Sequence, residues 1–255
     1  MKKIFLLVAV MVLASVSGFA QLKFSVYGGG AFPMGKLKAG ELKDGEPSQW
    51  ALWTEKGDQG YAGIGFNIGA DVLLPLNSVK GLGFTLGADF FYNGSNSDIK
   101  KWISELENSW AEENIPYSIK RPKITNVPIM LGARYLYEIS DNLGIFCEAA
   151  TGLNIRMITS LKGEIKRKND GSTAVEEYIH DYKSAITFAF KAGAGIMLAK
   201  HFSIGLDFYG LGSAQVIGTQ ISKLSESTHS IELKEEFKSN KLSCSELALR
   251  VGYHF

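Results

Sequence analysis

Beyond its N-terminal stretch, this chain has no apolar run long enough to cross a membrane as a helix. It has little proline, 6 residues in 255, and only two cysteines, Cys147 and Cys244. It has almost no net charge, with 27 Lys and Arg against 26 Asp and Glu. Each shortage excludes something. Without an apolar run, a membrane role would have to be carried by strands. A balanced charge gives nucleic acid no electrostatic handle, so no nucleic-acid partner is expected. The four histidines are scattered, and no pair has the spacing of metal ligands. Nothing calls for a cofactor. Few prolines leave strands free to run without interruption.

The N-terminus is of another kind. Lys2 and Lys3 precede an apolar run from Ile4 to about Val16, and Gly18 and Ala20 flank Phe19 before Gln21. A basic start, an apolar stretch and a small-x-small end make the pattern of a secretory signal peptide. Residues 1–20 are therefore expected to be cleaved, leaving 21–255 as one domain. Losing two lysines takes the basic count from 27 to 25 against 26 acids, a formal charge of −1.

Eight segments alternate at period two: roughly 22–32, 60–74, 81–93, 122–139, 143–158, 185–199, 202–214 and 241–255. The connections near 33–59, 94–121, 159–184 and 215–240 are long and polar, whereas 75–80, 140–142 and 200–201 are short. Long and short alternate without exception. A barrel inserted from one side sorts its connections this way, and a sandwich has no reason to.

The two faces of each segment differ in kind. In 81–93, Leu82, Phe84, Leu86, Ala88, Phe90 and Tyr92 oppose Gly83, Thr85, Gly87, Asp89 and Phe91. The charges of all segments collect on the second face: Asp71, Asp89, Glu138, Glu148, Asp207 and Glu246 with Arg134, Arg156, Lys191 and Arg250. Mixed charge among many glycines suits a cramped barrel interior where opposite charges pair. Six acids against four bases imply at least one acid with a raised pKa or a rim group in water. The apolar face then meets lipid, with aromatic girdles at Tyr135, Tyr137, Phe202, Tyr253 and Phe255 on one side and Phe90, Tyr92, Phe188 and Phe208 on the other.

The expected fold is therefore all-β: an eight-stranded antiparallel transmembrane up-and-down barrel with long extracellular loops. Its interior is filled by side chains, which disfavours open diffusion. Cys147 and Cys244 fall near opposite ends of such a barrel, too far apart for a disulfide, and are expected to be unpaired.

The glycine-rich "KFSVYGGGAFP", the strand "ITNVPIMLGARYLYEI", "IGLDFYGLG" and the closing "ELALRVGYHF" resemble the small outer-membrane barrels called PorT-like, on the scale of OmpA- and OmpX-type barrels. The resemblance covers essentially all of 21–255. It implies an integral outer-membrane protein in contact with lipid. Some members of the family are linked to secretion machinery. The closing alternation, ending on Tyr253 and Phe255, resembles the insertion signal read by barrel assembly machinery. The barrel motifs are architectural, so no catalytic, cofactor or metal residues carry over. No peptidoglycan-binding domain is expected after the barrel.

All four tryptophans, Trp50, Trp53, Trp102 and Trp110, fall in the first two long connections. In "SDIKKWISELENSW", Ile99, Trp102, Ile103, Leu106 and Trp110 recur at helical spacing after a cap at Ser97 or Asp98. This amphipathic helix could pack on Trp50 and Trp53 as a cap over the barrel mouth, or present a contact patch for an extracellular glycan or protein. Asn169-Asp170-Gly171 is a hairpin signal, so the fifth and sixth strands are expected to project beyond the membrane. The same ribbon form is open to "SKLSESTHSIELKEEF". His180, Asp181 and Ser184, and His229 with Ser230, are base and nucleophile types in outer loops, at no diagnostic spacing. The leading expectation is a monomeric, non-enzymatic surface protein. The alternatives are a component of an envelope transport or secretion assembly, and a lipid-modifying barrel enzyme.

Overall fold

The computed structural model describes residues 22–40, 42–43, 46–47, 57–112, 116–169, 172–226 and 229–255. The signal-peptide segment, Trp50, Trp53 and the Asp170-Gly171 turn lie outside the described residues. The strands, in chain order, are β1 Lys23–Met34, β2 Leu42–Lys43, β3 Glu46–Pro47, β4 Ala62–Pro75, β5 Leu82–Ser95, β6 Tyr117–Lys120, β7 Ile124–Ser140, β8 Leu143–Ile158, β9 Leu161–Asn169, β10 Ser172–Tyr182, β11 Ala185–Leu198, β12 Phe202–Glu226 and β13 His229–His254. Among the described residues a helix spans Ser97–Glu112 and a single helical turn spans Gly35–Lys38.

Eight strands form a closed antiparallel ring in the order β1, β4, β5, β7, β8, β11, β12, β13 and back to β1. They coincide with the eight alternating segments. Closure leaves no open edge within the ring, which is what strands in lipid require. Even the last residue takes part: the Phe255 amide donates to the Phe24 carbonyl at 2.8 Å. The connections at residues 76–81, 141–142 and 199–201 are tight turns at one end of the ring. In the third, Ala199 and Lys200 both hold left-handed φ, +48° and +65°, and the His201 amide closes the turn on Leu198.

The apolar face points outward all round, with Leu131 at 61% and Phe188 at 64% exposure. Outward rings cluster at both ends. Phe24, Phe202, Tyr253 and Phe255 meet near the tight turns, and Phe66, Phe90 and Tyr92 near the other rim. The inward face carries the charges. Glycine makes room for them: a Cβ on Gly69 would strike the Asp89 carboxylate and the Tyr27 ring. Cys147 lies exposed on the outside and Cys244 buried inside, both as free thiols.

The long-connection end differs from a set of loops. β12 and β13 continue past the ring as one ribbon, paired from Ile217 and Lys238 out to Glu226 and His229. Register shifts after Gly210 and Gln215 bend it. The third connection does project as a pair of strands, β9 against β10, but these are not straight extensions of β8 and β11 as expected. The chain breaks at residues 159–160 and 183–184, and β10 takes up pairing with β12 from Tyr182 opposite Gly218. The long β12 would otherwise have an unpaired edge above β11, and β10 supplies the partner. β9 pairs with β10, and β6 pairs with β9. The result is a five-stranded crown, β6-β9-β10-β12-β13, standing on the ring.

Candidate functional site

Two places concentrate polar and aromatic side chains: the ring interior and the crown.

In the interior, Arg134 of β7 and Glu148 of β8 are register partners. Arg134 Nη2 lies 2.7 Å from Glu148 Oε2 and 2.6 Å from Asp71 Oδ2. The other carboxylate oxygen of Glu148 receives Lys191 Nζ and Arg250 Nη2, each at 2.7 Å. Arg250 also pairs with Asp207, reaches Asp89 at 3.5 Å, and lies over the Tyr27 ring at 4.0 Å. Glu148 is thus the hub of three cations from three strands. Four acids and three bases are buried here together, filling this part of the lumen with paired charge.

Three of the ten expected interior charges stand apart. Glu138 is not in the network: its side chain is 46% exposed at the tight-turn rim and paired with Lys80 at 2.9 Å. The inward register of β7 carries it past the end of the packed lumen into water. Arg156 is buried and finds no carboxylate among the described residues. It donates to the carbonyls of Leu242 and Gly212 at 2.9 and 3.0 Å. Glu246 is fully buried and accepts from Asn93 Nδ2 at 3.3 Å. Counting charges by face could not reveal the uncharged members. Asn126 accepts from Asn154 Nδ2 at 2.9 Å, and Tyr27 and Tyr209 wall the ionic cluster. The signal for them was parity alone, since Asn93 shares the face of Asp89 and Tyr209 the face of Asp207.

At the tight-turn rim, His254 spans the mouth between Ser25 Oγ at 2.8 Å and Ser203 Oγ at 2.9 Å. A pocket of about 90 Å³ opens there, lined by residues including Lys23, Arg134, Glu138 and His254.

In the crown, the expected helix forms over Ser97–Glu112. Its cap is neither Ser97 nor Asp98: Asn96 Oδ1 accepts from the Ile99 amide at 3.1 Å, one residue earlier, as an N-cap side chain should. Ile99 and Ile103 are buried against Tyr61, with Trp102 and Ile119 packed beside them. Trp110 lies on Tyr117 of β6 with ring centres 5.6 Å apart. Trp102 and Trp110 therefore share the helix that roofs one side of the crown. His180 packs its ring on Phe237 at 5.4 Å, and burial lowers its pKa. Asp181, next on the strand and on the opposite face, accepts from Ser160. Ser184 is exposed in the break before β11.

Among solved structures, the chain is similar to a major outer membrane protein of Thermus thermophilus at 14% identity, over 92% of this chain and 99% of that one, with a TM-score of 0.40. It is similar to Neisserial surface protein A at 11% identity, over 92% and 97%, with a TM-score of 0.39. It is also similar to the attachment invasion locus protein of Yersinia pestis at 11%, over 92% and 100%, with a TM-score of 0.37. No curated protein matches it. A family model, the outer membrane protein beta-barrel domain, matches residues 6–255, a span that contains the whole eight-stranded ring. With an apolar outside, a charged inside and a closed antiparallel ring, the chain belongs to the outer membrane protein beta-barrel domain family and resides in the outer membrane.

Proposed function

We propose that this chain is a monomeric, non-enzymatic surface protein of the PorT-like kind, working through the crown, which faces the cell exterior. In this reading the leader is cleaved, and assembly machinery recognises the strand that ends on Tyr253 and Phe255. The observation that carries the proposal is the contrast between the two ends. The lumen is filled by an ionic cluster centred on Glu148, while the crown is a paired sheet roofed by a helix. A scaffold of that size at one end suits recognition of an extracellular glycan or protein. Trp102 and Trp110 on the roof are the side chains best suited to contact it.

Protease treatment of intact cells tests the orientation. Cleavage confined to residues 35–61, 96–123, 159–184 and 215–240 is expected. Cleavage at the turns 76–81, 141–142 or 199–201 on intact cells would overturn it.

A further inference from the structure

The outer surface of the ring changes character at the base of the crown. Below, Tyr92, Met157, Ile186 and Phe188 continue the apolar band. Immediately above stands Lys123, whose Nζ lies 5.4 Å from the centre of the Tyr92 ring. Its backbone is tied to Thr159 in both directions, at 2.8 and 3.0 Å, which fixes its height at the top of β7 and β8. Next above come Lys120 and Lys162, direct register partners across β6 and β9. Both side chains leave the same face of the sheet from Cα atoms about 5 Å apart.

Like charges directly opposite one another destabilise a strand pair. Lys120, Lys123 and Lys162 form no ion pair among the described residues. The acids close by are engaged or lie higher. Glu107 accepts from the Ile119 amide, Asp181 from Ser160, and Glu164 pairs with Lys166. Glu177 is one further step from the ring and sits opposite Lys223 in register. Lys120 and Lys162 share a shallow groove with Ser118, Gly163 and Ile179, and Glu164 and Glu177 lie at its upper end. The surface therefore runs from apolar to basic to acidic with height.

We propose that Lys120, Lys123 and Lys162 form a ledge that binds the phosphate groups of a phosphorylated glycolipid in the outer leaflet. A phosphate between Lys120 and Lys162 would relieve their opposition. The apolar band directly beneath continues the same surface into the layer where the acyl chains lie. This continuity favours a lipid-borne phosphate over a free one. The proposal rests on the outward orientation of the crown.

The test uses the folded protein in phosphatidylcholine nanodiscs, so it does not depend on orientation in the cell. Lipid A, or lipid A stripped of its phosphates, is added, and retained lipid is counted by native mass spectrometry. Phosphorylated lipid should be retained preferentially. A charge near such a surface is worth about a fivefold change in affinity, so the K120Q/K123Q/K162Q variant should lose about a hundredfold. Boil-sensitive gel migration checks that the variant is folded. Equal retention of both lipids, or unchanged retention by the folded variant, would overturn the proposal. So would full displacement by inorganic phosphate at equal phosphate concentration, which would mark a site for a free anion. Protease mapping on cells separately decides the orientation.

Discussion

Arg134 and Glu148 face each other across β7 and β8, and their side chains meet at 2.7 Å inside the barrel, where Glu148 also holds Lys191 and Arg250. One carboxylate serving three buried cations makes this residue unequal to its neighbours. Removing it leaves three charges in a packed lumen with fewer partners. Loss of one member of a buried pair costs about 3–5 kcal/mol. E148A is expected to lie in that range, measured as urea unfolding from detergent micelles followed by boil-sensitive migration. A loss below about 1 kcal/mol, the scale of an exposed pair, would mean that the cluster is hydrated.

The same cluster sets the transport behaviour. A lumen filled by paired side chains should pass no steady ion current. Wild-type protein in a planar bilayer is expected to show no stepwise conductance, and regular open-channel steps would contradict the plugged interior.

Glycine at position 193 is a packing requirement. A Cβ there would overlap the Asp207 carboxylate, whereas one on Gly94 would meet nothing within 4 Å. Overpacking typically costs about 1–3 kcal/mol. G193A should therefore destabilise on that scale and G94A should not, compared by midpoints in the same urea titration. Equal midpoints would show that the lumen can relax around an added methyl.

The β11–β12 turn holds two non-glycine residues in left-handed backbone, Ala199 and Lys200. This conformation costs about 1 kcal/mol or more for an L side chain. K200G is expected to stabilise the barrel by roughly 1 kcal/mol, less the added entropy of the unfolded chain. A lowered unfolding midpoint would contradict the turn geometry.

The crown should respond to acid through His180. Burial against Phe237 lowers its pKa, so the folded crown favours the neutral ring. Below an unfolded-state pKa of about 6.5 the opened form binds more protons. Stability from this group is therefore complete above that pH and declines as pH falls toward the lowered folded pKa. Amide exchange at Ile179–Tyr182, corrected for intrinsic rates, should quicken as pH drops from 7 toward 5, and H180F should flatten the trend.

The ring is legible in the residue order. Lipid outside and a crowded lumen inside make opposite demands on alternate residues, so Leu131 and Arg134, or Phe90 and Asp89, declare their faces by parity. The one-sided sorting of connection lengths follows from insertion in one direction. The helix over residues 97–112 was also legible, because the spacing of Ile99, Ile103 and Trp110 is local. The partners were not. Which cation meets Glu148 depends on register between strands far apart in the chain, and no local period encodes register. Parity placed Glu138 with the interior charges, but the height of the packed lumen leaves it at the rim with Lys80. Arg156 donates to the carbonyls of Leu242 and Gly212, which lie 86 and 56 residues away. The crown was decided in the same way. β10 turns onto β12 because a long strand above a closed ring needs a neighbour, a demand that arises only once the tertiary structure exists.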